Sequence, residues 1–237
     1  MNLEIISERL LHALVSGQRA RVRSIVSECI ASGMSADEIG TELVWEVLQH
    51  VSELHRQDQL SNLGYNYATR LIRSVINQIQ AGYPRSESRD HRVLVFTGIE
   101  HADEIGGTIV SDLLESEGYE VFFGAGGISR DEILAEVGQR SPGTLLLFAS
   151  SASDAPEIRQ MIDLIRDVGA YPDMQIVVGG GVFNRAEGLA EEIGADAWAR
   201  EPREVVEILE FDGERRASAD QRTVGAKRRP VPTSKVA

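Results

Sequence analysis

Between Arg92 and Phe211, five short apolar runs alternate with helical patterns, and no other feature restricts this chain so much. The runs lie at 92–97, 119–123, 144–149, 174–178 and, more briefly, 196–199; helices are expected at about 104–117, 129–139, 156–168, 184–194 and 202–211. Continuous apolar runs rich in β-branched and aromatic residues read as strands buried on both faces. Five βα units in roughly 120 residues imply one parallel sheet covered by helices on both sides, with right-handed crossovers. In such a sheet, ligands bind at the loops on the carboxyl edge. Here those loops hold Gly98–Gly106 after the first run, Ser150–Asp154 after the third and Gly179–Asn184 after the fourth.

The first eighty residues carry only helical periodicity. Ile5, Ile6, Leu10, Leu11, Leu14 and Val15 repeat at three and four until Gly17; Val22, Ile25, Val26, Cys29 and Ile30 form a second face closed by Gly33. Ser35 followed by Glu38 reads as a capping box opening a third helix, with Ile39, Leu43, Val47, Leu48, Val51 and Leu54 along one side. A fourth helix is expected at about 62–79. Short connections favour an antiparallel four-helix bundle. The expected organisation is a helical bundle at 1–81, a linker at 82–91, an α/β domain at 92–212 and a disordered basic tail at 213–237. The linker is read from composition, since Ala81–Asp90 holds glycine, proline, two serines and four charges.

Charge is divided unevenly. Residues 213–237 hold seven Arg or Lys against two acids, a net of +5, which leaves −18 on residues 1–212 of a chain whose total is −13. A body so acidic repels phosphates, which argues against direct nucleic acid binding by the folded part. The tail reads as a solvated segment or as a docking segment for an acidic partner or nucleic acid. No apolar stretch approaches the roughly 20 residues of a membrane helix, and no signal peptide opens the chain. The single cysteine, Cys29, gives neither a disulfide framework nor a zinc site, and reads as a buried thiol in a reducing cytoplasm.

Gly179-Gly180-Gly181 would let a bulky ligand lie on the backbone. It is not a phosphate loop of the Gly-Lys-Ser/Thr kind, and no Gly-x-Gly-x-x-Gly follows the first strand. Gly124-Ala-Gly-Gly127 after the second strand reads as a turn.

At the edge loops the chain resembles the cobalamin-binding domain shared by methionine synthase, the corrinoid methyltransfer proteins and the B12-dependent photoreceptor regulators. The resemblance rests on His101-Ala102-Asp103-Glu104-Ile105-Gly106 after the first strand, the serines after the third, the paired glycines after the fourth, and Ala190-Glu-Glu-Ile-Gly-Ala-Asp-Ala-Trp198. It implies a flavodoxin-like sheet of order 2-1-3-4-5. The family's motif is Asp-x-His-x-x-Gly, its histidine being the lower cobalt ligand. Aligned on Ile105-Gly106, the aspartate position holds His101 and the ligand position holds Asp103. In the family's Ser-x-Leu signature the serine bonds the displaced base; here Ser150 or Ser151 is available and the leucine is missing.

The resemblance extends to a helical cap over the corrin. The photoreceptor branch carries a tryptophan, nine residues, then Glu-His; here Trp45 is followed by His55 and Arg56 at those two positions. Trp45 and His55, about three helical turns apart, can share a face. The alternative is that Trp45 is core and His55 half-exposed. The implied cofactor-binding set is Trp45, His55, His101, Asp103, Gly106, Ser150, Ser151, Gly179 and Gly180. His101 is the candidate metal ligand, because cobalt prefers imidazole to carboxylate. Otherwise cobalt keeps water or the cofactor's own base, the pocket takes haem as another tetrapyrrole, or no cofactor binds.

The expected function is a cobalamin- or tetrapyrrole-binding sensor or regulator that moves cap against domain and signals to a regulatory protein partner. The runner-up is a corrinoid-carrying component of a methyltransferase or mutase system, and the third reading a cofactor-free adaptor. No catalytic constellation of its own is visible, and homo-oligomerisation is left open.

Overall fold

The computed structural model describes residues 2–218. The expected disordered tail therefore lies, from residue 219 onward, outside the described residues. Up to that point the chain is fastened: the Ala217 amide donates to Asp196 Oδ1 at 2.7 Å.

The N-terminal part is built from α1 (Leu3–Val15), α2 (Arg19–Ala31), α3 (Ala36–Glu38), α4 (Trp45–Arg56) and α5 (Asn62–Ile79). Asn2, Ser35 and Ser61 accept backbone N–H groups at the starts of α1, α3 and α5, and Ser35 with Glu38 forms the expected capping box. The pattern predicts one helix from Ser35 to Leu54. Instead α3 passes into a π-helical stretch, Ile39–Val44, before α4 begins. The wider turn resets the phase, so that Ile39, Leu43, Val44, Trp45, Val47, Leu48 and Val51 are all buried.

After a 3-10 turn at Gln80–Gly82 and a connecting segment, the second part runs β1 (Arg92–Thr97), α6 (His101–Ser116), β2 (Glu120–Gly126), α7 (Arg130–Arg140), β3 (Thr144–Phe148), α8 (Ala155–Val168), β4 (Gln175–Gly179), α9 (Gly181–Arg185), α10 (Leu189–Glu192), β5 (Ala197–Ala199) and α11 (Pro202–Phe211). The five strands pair parallel in the order β2-β1-β3-β4-β5, the flavodoxin-like order the resemblance implies.

Three local readings differ. Gly124–Gly126 is strand, not turn: β2 continues along β1 through a register shift, with Ala125 at φ +55°. Glycines are needed because a side chain at Gly124 would enter the Phe96 ring and one at Gly126 the Gly98 carbonyl. The helix expected at 184–194 is two short ones, broken at Gly188 with φ +80°. Finally, α6 begins three residues early, so His101 and Asp103 lie in its first turn; acidic Asp103 and Glu104 suit the positive end of the helix dipole.

Helix α6 joins the two parts. Ile105, Ile109 and Leu113, spaced by four, belong to the core of the helical bundle, while Val110 and Leu114 belong to the core against the sheet with Val93, Val95 and Val177. Arg73 of α5 holds Glu104 of α6 through two bonds of 2.6 Å, and Arg203 of α11 meets Asp37 at 2.8 Å. The apolar share dominates, since three buried aliphatic side chains contribute roughly 5 kcal/mol or more whereas half-exposed ion pairs contribute roughly 0–1 kcal/mol each.

Candidate functional site

Strand order reverses between β1 and β3, and there the loops after the two strands part at the carboxyl edge. The bundle leans over this point. The end of α4 and the start of α5 face Glu100 and Ala102 on one side and Ser150–Ala152 on the other, enclosing a cleft of about 420 Å³. From the bundle come Ser52, His55, Arg56 and Tyr65.

Tyr65 is the centre of this contact. Its ring stacks on His55 at 4.1 Å between centroids and lies 6.4 Å from His101. His55 Nε2 is 2.9 Å from Asn62 Oδ1, which fixes the ring. Burial, followed by the charge of Glu100, pushes the Tyr65 phenol above its ordinary range. Tyr65 was absent from the sequence-derived set. Its signal was available, since Tyr65, Thr69, Ile72 and Ile76 repeat along one face of α5, but a helical tyrosine at that spacing reads as core.

Asp103 is buried at 3% exposure. Ser150 donates to it twice, from its amide at 3.0 Å to Oδ2 and from its hydroxyl at 2.5 Å to Oδ1. Across Gly98 stands Asp154, and a side chain at Gly98 would strike Oδ2 of both acids. Asp154 Oδ2 is buried without a hydrogen-bond partner among the described residues. Burial first, opposed by the Ser150 bonds and reinforced by Asp154 and Glu100, pushes the Asp103 carboxyl up to about 6. Gly98 and Asp154 were also missed by sequence reasoning, because their juxtaposition spans two strands.

His101 is exposed on the first turn of α6, its Nδ1 3.4 Å from Arg73 Nη2. It faces the bundle, two residues from Asp103 and not beside Ser150. Trp45 and His55 both meet α6 or its neighbours, but separately: the Trp45 ring lies on Gly106, where an added Cβ would sit 3.2 Å from it, and only His55 lines the cleft. Trp45 is thus a core residue that also seats the bundle on α6. Ser151 lines the cleft and bonds Ser153 at 2.7 Å.

The glycines after β4 have their space filled by the protein itself. A side chain on Gly179 would meet Phe148, one on Gly180 the Ala149 backbone, and one on Gly181 Arg185 and Ser150. Gly180 also holds φ +99°, a conformation L residues rarely adopt. Arg185 anchors this corner by donating to the Ser150 carbonyl at 2.6 Å. Among the described residues no three His, Cys, Asp or Glu side chains converge on a point that could hold a metal ion, and no helix is long and apolar enough to cross a membrane.

Two halves joined over a β1/β3 switch-point cleft invite comparison with known proteins. Residues 6–80 match the family described as B12 binding domain. The matched residues are those of the helical bundle, and the similarity to known proteins continues past them. The chain is 23% identical to dimethylamine corrinoid protein 3 of Methanosarcina acetivorans over 200 residues, 84% of this chain and 87% of that protein. It is likewise 23% identical to dimethylamine corrinoid protein 2 of the same organism over 205 residues, 86% and 94% of the two chains. The solved structure of the monomethylamine corrinoid protein of Methanosarcina barkeri superposes with a TM-score of 0.75 at 16% identity, covering 86% of this chain and 97% of that one. The arrangement of helical bundle and α/β part is therefore a fold the two share.

Proposed function

We propose that this chain is the corrinoid-carrying component of a methyltransferase system, holding its cofactor in the cleft between the B12 binding domain and the carboxyl edge of the sheet. The observation that supports this most is that similarity to dimethylamine corrinoid proteins runs through both halves and across the cleft they enclose. A methyltransferase is the protein partner such a carrier serves, in place of the regulatory partner expected of a sensor.

The cleft's chemistry fits the amide-bearing rim of a corrinoid. Arg56 and Tyr65 offer donors from above, Glu100 and Ser151 acceptors from below, and His55 either, according to its tautomer. It does not fit axial ligation from position 103, where a carboxylate is already held by Ser150. His101 is the one imidazole of that turn, and Arg73 stands beside it. A corrinoid held there would supply methyl-transfer chemistry. The chain's own part is to orient the ring between Tyr65 and the Ser150–Ala152 loop and to exclude water. A cleft of about 420 Å³ is smaller than a corrinoid, so binding one would require the ends of α4 and α5 to draw back from the loops.

The sensor reading retains one observation in its favour, the loss of imidazole at the ligand position, which in the family tunes cobalt for methyl transfer. The two readings separate on light. Protein loaded with methyl- or adenosylcobalamin is run on a sizing column in darkness and after illumination. A carrier keeps one elution volume in both conditions, and a light-dependent change of mass would replace this reading with the sensor. Protein that retains no corrinoid or haem would leave the adaptor reading.

A further inference from the structure

A second cavity, of about 680 Å³, lies under the connecting segment at the opposite end of α6 from the cleft. The segment is strapped down: the Ser86 amide donates to the Ser116 carbonyl at 3.0 Å, the Arg89 amide to Gly118 at 2.8 Å and Arg89 Nε to Glu117 at 2.7 Å. Gly118, at φ +89°, has no room for a side chain because the Glu87 carbonyl lies against it. The space below is walled by the end of α5, the strap and the last turns of α6.

Into this space faces Asp112, 5% exposed. Gln80 Nε2 donates to its Oδ1 at 2.8 Å, and its Oδ2 is buried with no partner among the described residues. Burial raises the Asp112 carboxyl to about 6, so at neutral pH it is charged and holds one neutral hydrogen bond. A buried carboxylate so poorly matched is costly unless a charged donor completes it. Glu115 and Arg85 line the same cavity, as does Glu120, which Arg92 already holds at 3.0 Å. The volume is that of a small-molecule site, far above the roughly 30 Å³ of one water.

We propose that this cavity binds a small organic cation, an alkylammonium whose N–H group bonds Asp112 Oδ2. Its occupant touches the end of α5 and α6 at once, and through differential affinity it fixes how the helical part sits on the sheet. The site is independent of the cleft and of any corrinoid.

Calorimetric titration of the full chain with butylammonium, at constant ionic strength, tests this, with butyrate and tetramethylammonium as controls. Saturable butylammonium binding is expected, weakened at least tenfold in Asp112→Asn and in Ser86→Trp, which fills the cavity from the exposed strap. The second variant decides the matter where the first does not fold. Absence of saturable binding, unchanged affinity in a folded variant, or equal binding of tetramethylammonium, which has no N–H to give, would overturn the proposal.

Discussion

Ser150 gives both its amide and its hydroxyl to the carboxylate of Asp103, at 3.0 and 2.5 Å, and so ties the loop after β3 to the first turn of α6. Asp103 is thus a structural acceptor joining two elements. Ser150→Ala leaves a buried carboxylate with the amide bond alone; the expected cost is about 1–3 kcal/mol, read from urea denaturation. Losing a bond that favours the charged form also moves the Asp103 carboxyl above about 6, followed by NMR titration of its side chain.

Asp112 makes the pH dependence legible. Its carboxyl is raised from 3.8 to about 6 by burial, partly opposed by Gln80. A raised acid contributes stability that is complete below its unfolded value near 3.8 and lost as pH rises through about 6. The stability of the wild type relative to Asp112→Asn should therefore fall by about 2–3 kcal/mol between pH 4 and 7. Denaturant midpoints of both proteins across that window measure it, and parallel curves would remove the assignment.

Gly180 is required by backbone geometry, with φ +99° and the Ala149 backbone in the path of any Cβ. Gly180→Ala should lower stability by roughly 2 kcal/mol or more, in the absence of any ligand. A variant of wild-type stability that had lost only cofactor affinity would instead support a ligand lying on this glycine.

Trp45 seats the bundle on α6 through Gly106. Trp45→Ala should cost about 3–5 kcal/mol, measured by chemical denaturation. Hydrogen exchange should then accelerate in the amides of α6 on the Ile105 and Ile109 face before those of the central strands.

The sheet was legible because its strands are continuous apolar runs separated by helical spacing, a pattern with one economical parallel solution. Order 2-1-3-4-5 came from family resemblance, as periodicity says nothing of which strands are neighbours. The π-helical stretch at Ile39–Val44 was not legible, since its apolar spacing differs from an α-helix by a single residue. Nor was the strand character of Gly124–Gly126, where glycine signals a turn locally but close packing on Phe96 and Gly98 decides. At the site, Ser150, Ser151 and His55 were expected, from motif position, to contact a cofactor; in the fold all three line the cleft. Tyr65, Asp154 and Gly98 escaped because their roles arise from contacts between elements far apart in sequence. The glycines at the end of β4 were read as a ligand platform; in the fold, a Cβ on each would meet the protein's own atoms.

The most direct test of a corrinoid seated in the cleft is the absorption spectrum of the full chain after incubation with hydroxocobalamin and desalting, alongside a Ser151→Trp variant that fills the cleft from a half-buried position on its rim. The wild type is expected to keep a corrinoid spectrum at close to one cofactor per chain, and the variant to elute colourless. A colourless wild type, or equal retention by the variant, would contradict it.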